Sequence, residues 1–184
     1  EPDATNEDDQ ANYSHAIVRR LGAEQLHDAL FQFARVRPEF ASFPEVTRAV
    51  ALPGPVRRRR SEGGLGASDL FLRQFGQPPR LLACECERSN ETAMGQAFAL
   101  ISSPQIDDII RRQDNIIGDL LDASLTDWDR IRELFWRALS RAPTADELSK
   151  LSATLTDASG EKRRAAMEDI VWTLVNAKEF VLRR

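Results

Sequence analysis

Three runs of apolar residues at helical spacing, the first opening at Thr126, constrain the fold of this chain more than any other feature. Thr126 precedes a stripe of Trp128, Ile131, Phe135 and Ala138/Leu139. Its hydroxyl is suited to accept from a free N–H of the first turn. Thr144-Ala145-Asp146-Glu147 is a capping box, and Leu148, Leu151 and Leu155 follow it. The third run starts near Glu161 and carries Met167, Ile170, Val171, Leu174 and Val181. Short connections between such helices pack neighbours antiparallel, as a small bundle. Sustained period-two alternation is missing, so strands are expected to be minor. The expected class is all-α: an irregular helical bundle.

Upstream, the same local rules place further helices. In "RRLGAEQLHDALFQFARV", Gly22 reads as a cap and Leu21 as a staple onto Leu26; Leu26, Leu30 and Phe33 recur at helical spacing, with Ala29 beside them. Pro38 is expected to end this helix, because it disfavours helical geometry at Arg37. "ASDLFLRQFG" reads as a short helix stopped at Gly76, with Pro78–Pro79 beyond it. "ETAMGQAFALI" reads as helix, and Ser103–Pro104 opens another, containing Ile106, Ile109 and Ile110. A break near Asp114 precedes "NIIGDLLDAS". Residues 38–66, rich in Pro and Gly and containing Arg57–Arg60, read as a long loop.

Charge divides the chain. Glu1, Asp3, Glu7, Asp8 and Asp9 stand in the first ten residues without a base, so a net charge of −4 leaves +1 on the remainder. Residues 1–18 are thus expected to be an acidic linker or tail, and 19–184 a single α-helical domain. The near-neutral remainder gives no field for nucleic acid. No apolar run approaches the roughly 18 residues of a membrane span. No signal peptide is recognisable, and a start at Glu1 without Met reads as a chain cut from something longer or processed. Arginine greatly outnumbers lysine, which is limited to Lys150, Lys162 and Lys178.

The densest polar motif is "ACECERS", which holds both cysteines. Pro78–Pro79 favours extended chain up to about Cys86, giving a short extended segment over residues 80–88. Residues two apart then share a face. Leu82, Cys84 and Cys86 would point inward, with Glu85 and Glu87 turned toward Arg80, Arg88 or Arg73. As scaffolding, the thiols are small buried hydrophobes and the carboxylates pair with arginines. Three other readings stand beside it. A Cys84–Cys86 disulfide would close a strained, easily reduced ring. A metal clip lacks the four Cys or His ligands at zinc spacing, so no metal site is expected. Glu85 and Glu87 with Arg80 and Arg88 are candidate catalytic groups, although no triad or phosphate loop accompanies them.

The remaining candidates are weaker. His15 lies in the tail, and His27, at the edge of the first stripe, reads as a packed or half-exposed helix residue. Arg57, Arg58, Arg59 and Arg60 could grip an anion or simply form a solvated loop. Trp128, Trp136 and Trp172 invite a sugar-stacking reading; Trp128, on its stripe, reads better as core or interdomain packing.

Five blocks together resemble a known family: "RRLGAEQLHDAL" (19–30), "FLRQFGQPPRLLACECERSNE" (71–91), "QAFALISSPQI" (96–106), "FWRALSRAPTADEL" (135–148) and "NAKEFVLRR" (176–184). They are similar to the DUF1553, PSD-type domain of unknown function that closes large planctomycete and verrucomicrobial proteins, often with a planctomycete cytochrome C domain upstream. The block around Cys84–Arg88 is the most specific, and "LSRAPT…EL" is next. His27 stands where an aliphatic residue is usual, "FVLRR" replaces a more typical aromatic and Asn, and the Arg-rich loop is extended. The resemblance implies an exported protein of the periplasm or cell envelope, with other domains of the same polypeptide as partners. It implies no established reaction. No cofactor is expected in this domain; any c-type haem would belong to another segment, since no Cys-x-x-Cys-His is present.

Three functional classes follow. The first is a non-catalytic helical module docked on the rest of its polypeptide. The second is a hydrolase of envelope polysaccharide, using Glu85 or Glu87 with Arg80 and Arg88. The third is a thiol redox module, in which Cys84 and Cys86 serve a cytochrome partner.

Overall fold

Each helix in this fold starts and stops for a reason close at hand in the chain. The computed structural model describes residues 19–40, 43, 46–52, 66–77 and 102–183, with residues 5, 6, 9, 12, 14 and 15. Helix α1 spans Ala23–Ala34 from an extended Gly22, whose N–H donates to the Gln25 side-chain oxygen at 3.1 Å. It ends two residues earlier than Pro38 requires. Arg35 turns into the left-handed region at φ 59°, and the Val36 N–H bonds the Phe31 carbonyl at 3.1 Å. Helix α2, Ala67–Gln74, stops at Gly76 as expected. There φ reaches 82°, and the Gln77 and Gly76 N–H groups close back on the Leu72 and Arg73 carbonyls at 2.8 and 3.2 Å. Only glycine makes that turn without a Cβ penalty.

Helix α3 spans Pro104–Arg111 and α4 spans Ile116–Asp122. Asn115, 1% exposed, joins them. Its Oδ1 accepts from the Ile117 and Gly118 N–H groups at 2.9 and 3.2 Å, and its Nδ2 donates to the Ile109 and Ile110 carbonyls at 3.0 and 2.7 Å. One buried side chain therefore caps the end of α3 and the start of α4.

Helices α5 (Asp127–Leu139), α6 (Ala145–Leu155) and α7 (Gly160–Val175) are the three expected, except that the third stops at Val175 and Val181 falls in a separate short helix. They pack pairwise on one another, and α7 also meets α3 and α4. Met167, Ile170, Val171, Leu174 and Val175 of α7 are buried in a core that is continuous with Leu26, Leu30 and Phe33 of α1. The family-like block "LSRAPTADEL" has a structural account. Ser140 ends α5 at φ 56°, Thr144 and Glu147 cap α6 reciprocally, and Arg141 bonds both Glu147 (2.8 and 2.9 Å) and Glu179 (2.7 and 3.0 Å) while lying 5.3 Å from the Phe135 ring centre. Arg141 first, and then the Thr144 bonds, hold the Glu147 carboxyl at about 2 against partial desolvation.

Short helix α8, Lys178–Val181, leads into strand β2, Leu182–Arg183, which pairs antiparallel with β1, Arg19–Arg20. Phe33 and Phe180 rings, 5.9 Å apart, fasten this end to α1. Several arginines bond backbone carbonyls: Arg130 those of Leu120 and Ala123, Arg163 those of Leu155 and Ala158, and Arg164 that of Arg112. A planar fork can close a helix end in this way where an ammonium cannot reach two carbonyls with fixed geometry.

The structure corrects the stripe drawn for α5. Ile131, Leu134 and Phe135 are buried, whereas Trp128 is 58% exposed. Trp128 sits about 60° round the helix from Ile131 and in the first turn, so it clears the core. The described residues are mostly helical, with the one two-stranded ladder, and the class is all-α. The expected helix "ETAMGQAFALI", the Arg57–Arg60 loop and the extended segment over 80–88 lie outside the described residues.

Candidate functional site

The buried polar groups of α1 and the loop after it bring a histidine and a carboxylate together inside a box of aromatic rings. His27 is 0% exposed, more buried than its edge position in the stripe implies. Its ring stacks on Phe31 at 4.2 Å and lies 5.3 and 5.5 Å from Phe40 and Phe71. Two of those three rings come from outside α1, which is why the helical period underestimates its burial. Nδ1 sits 3.3 Å from Oδ1 of Asp28, a carboxylate that can only accept, so the proton is placed on Nδ1. Nε2 has no hydrogen-bond partner. Asp28 also accepts from the Ala49 and Val50 N–H groups at 2.5 and 3.1 Å, which pins the 3₁₀ turn Ala49–Ala51 against α1.

Burial pushes the His27 pKa below its usual 6.5, against the hydrogen bond and charge of Asp28 and the charge of Asp69. The folded protein thus resists a proton that the unfolded chain accepts near pH 6.5. The resulting stability is complete above that pH. It is lost as pH falls, at up to about 1.4 kcal/mol per pH unit, until the folded-state pKa is reached. Urea unfolding between pH 8 and pH 5 should show this loss. His27→Leu should flatten it while leaving stability at pH 8 equal or higher, because the unpaired Nε2 is removed and the ring box accepts an aliphatic group. An equally steep fall in the variant would assign the pH dependence elsewhere.

The three rings around His27 are nearly buried, at 9, 2 and 1% exposed for Phe31, Phe40 and Phe71. With Val36, Pro38 and Ile109 they floor a cleft of about 690 Å³ between α1, α2 and α3. Its polar wall comprises Arg37, Glu39, Ser68, Gln105, Asp108 and Arg112. Arg112 is neutralised by Asp114 through two bonds, at 2.9 and 2.7 Å. The size and mixed lining are those of a small-molecule pocket.

The side chains singled out by sequence reasoning as catalytic, redox or anion-binding candidates, Arg57, Arg58, Arg59, Arg60, Arg80, Cys84, Glu85, Cys86, Glu87 and Arg88, are not among the described residues. His15 and His27 are described, and among the described residues no group of three His, Cys, Asp or Glu could hold a metal ion. Nor, among them, is any helix long and apolar enough to cross a membrane. Sequence reasoning missed Asp28, Phe40, Asp108 and the cleft itself, whose parts are separated by up to about eighty residues of chain. Asn115 had a local signal: an Asn just after a break and just before an apolar run is an N-cap.

Comparison with known proteins agrees with the family resemblance. A family profile described as "PSD1: Protein of unknown function (DUF1553)" matches residues 1–155. No curated protein and no solved structure matches the chain. The matched span takes in α1 through α6, including the cleft and the Asn115 joint. The chain belongs to the DUF1553 family of proteins of unknown function.

Proposed function

We propose that this chain is a non-catalytic helical module that packs on other domains of its own polypeptide. The observation that carries the reading is the exposure of all three tryptophans: Trp128 58%, Trp136 55% and Trp172 39%. They lie on α5 and α7, which contact each other, and Leu125 is also exposed one turn before Trp128. Tryptophan is among the residues most enriched at the energetic centres of protein interfaces. In this reading residues 1–18 form the linker, residues 19–184 form the module, and the polypeptide is an exported, planctomycete-type envelope protein. A c-type haem, where the polypeptide has one, sits on another domain.

The test uses the full-length polypeptide. Amide exchange across α5 should be slower there than in the isolated chain, and tryptophan emission should shift to the blue. Trp128→Ser with Trp136→Ser should abolish both differences, since a tryptophan at an interface hot spot typically costs about 2 kcal/mol or more to truncate. Identical exchange and emission in the two contexts would sink the docking reading.

A further inference from the structure

His27 has no way to hold a second proton where it stands. Nδ1 already donates to Asp28, so an added proton goes to Nε2, which has no hydrogen-bond partner. The ring is 0% exposed, and its neighbours Phe31, Phe40 and Phe71 offer no lone pair. A charged donor left unbonded in the interior is costly, and native proteins relieve it with water or by moving. The same three rings line the cleft between α1, α2 and α3, so a single layer of rings lies between His27 and the cleft.

The three rings are not equally held. Phe31 and Phe71 belong to α1 and α2, and Phe71 also stacks on Phe75 at 4.3 Å. Phe40 stands in irregular chain. Its carbonyl accepts from the Phe43 N–H at 3.0 Å, and the next described bond, from the Val46 N–H to the Phe43 carbonyl, is equally local. Segments held by few hydrogen bonds open at a lower free energy than packed helices do.

The surrounding charges set the direction. Asp28 on α1 and Asp69 on α2 favour the cation, but burial outweighs both while the box is closed. Glu24 lies one turn before His27, Arg48 sits 3.7 Å from Asp28, and α3 presents Asp108 and Arg112 across the cleft. Once a ring leaves, water removes the burial cost and the two aspartates hold the imidazolium.

We propose that His27 and Phe40 form an acid-operated latch: a proton on Nε2 of His27 releases the Phe40 ring, and the cleft floor opens onto the imidazolium. The proton comes from solvent and no covalent bond changes. The latch is distinct from the loss of global stability at low pH, because the helices stay formed while one ring and its flanking chain move. It is also independent of the tryptophan surface.

Residue-resolved amide exchange on the whole chain between pH 8 and pH 5 tests the latch. After correction for the intrinsic exchange rate, the opening constant at the Phe43 amide should rise about tenfold per pH unit below about pH 6.5, until the folded-state pKa is reached. At every pH it should exceed the opening constants at Ile170 and Leu174 of α7 by about tenfold or more, which marks a local opening rather than unfolding. His27→Leu should make the Phe43 value independent of pH; were that variant not to fold, the wild-type profile decides alone. A flat Phe43 opening constant below pH 6.5, one equal to those of Ile170 and Leu174, or the same rise in His27→Leu would overturn the proposal.

Discussion

Replacing Asn115 with alanine is expected to lower the unfolding free energy by about 3 kcal/mol. The side chain makes four hydrogen bonds while 1% exposed. Alanine removes an N-cap, which typically costs about 1 kcal/mol, and strands the Ile109 and Ile110 carbonyls in the interior, at roughly 1–3 kcal/mol more. Asn115→Ser separates the two parts. Serine still caps α4 but does not reach the α3 carbonyls, so about 2 kcal/mol of the loss should persist. Urea titration at pH 7 with an unchanged m-value is the measurement. A deficit under 1 kcal/mol for the alanine variant would mean that α3 and α4 are not joined through this residue.

Gly118→Ala should cost about as much, for a different reason. A Cβ on Gly118 would stand 2.3 Å from the Gln113 carbonyl oxygen, a backbone atom that cannot swing aside. Either the α3–α4 connection or the first turn of α4 must move, and overpacking of this kind typically costs about 1–3 kcal/mol. Because Gly118 N–H also donates to Asn115, that movement loosens the cap. The double variant Asn115→Ala/Gly118→Ala should therefore fall short of the sum of the single effects, as neighbours sharing one bond do. Strict additivity would place the two residues in independent units.

What was legible in the sequence is what physics makes local. Thr126, Thr144, Ser103–Pro104, Gly22 and Gly76 are helix starts and stops because their chemistry acts within one turn, and the structure uses all of them. α1 ends at the head of the "RVRPEF" stretch that Pro38 marks, although the left-handed turn at Arg35 that closes it has no glycine to announce it. Periodicity gave the angular position of Trp128 but not how far the neighbouring helices extend, so an exposed indole was counted with the stripe. His27 illustrates the same gap: α1 alone puts it at an edge, and only Phe40 and Phe71 from other segments enclose it. The cleft is legible from no single segment, since its floor and its carboxylates come from four stretches of chain.

The two-residue ladder between Arg19–Arg20 and Leu182–Arg183 carries a mechanical consequence. Segments attached before Arg19 and after Arg183 leave the body from one spot, with the Leu21 N–H also bonded to the Val181 carbonyl at 3.0 Å. Tension between two flanking segments would thus peel a pair of short strands rung by rung and leave the helices unloaded. A hinge of this kind yields at low force and reseats when the load is removed.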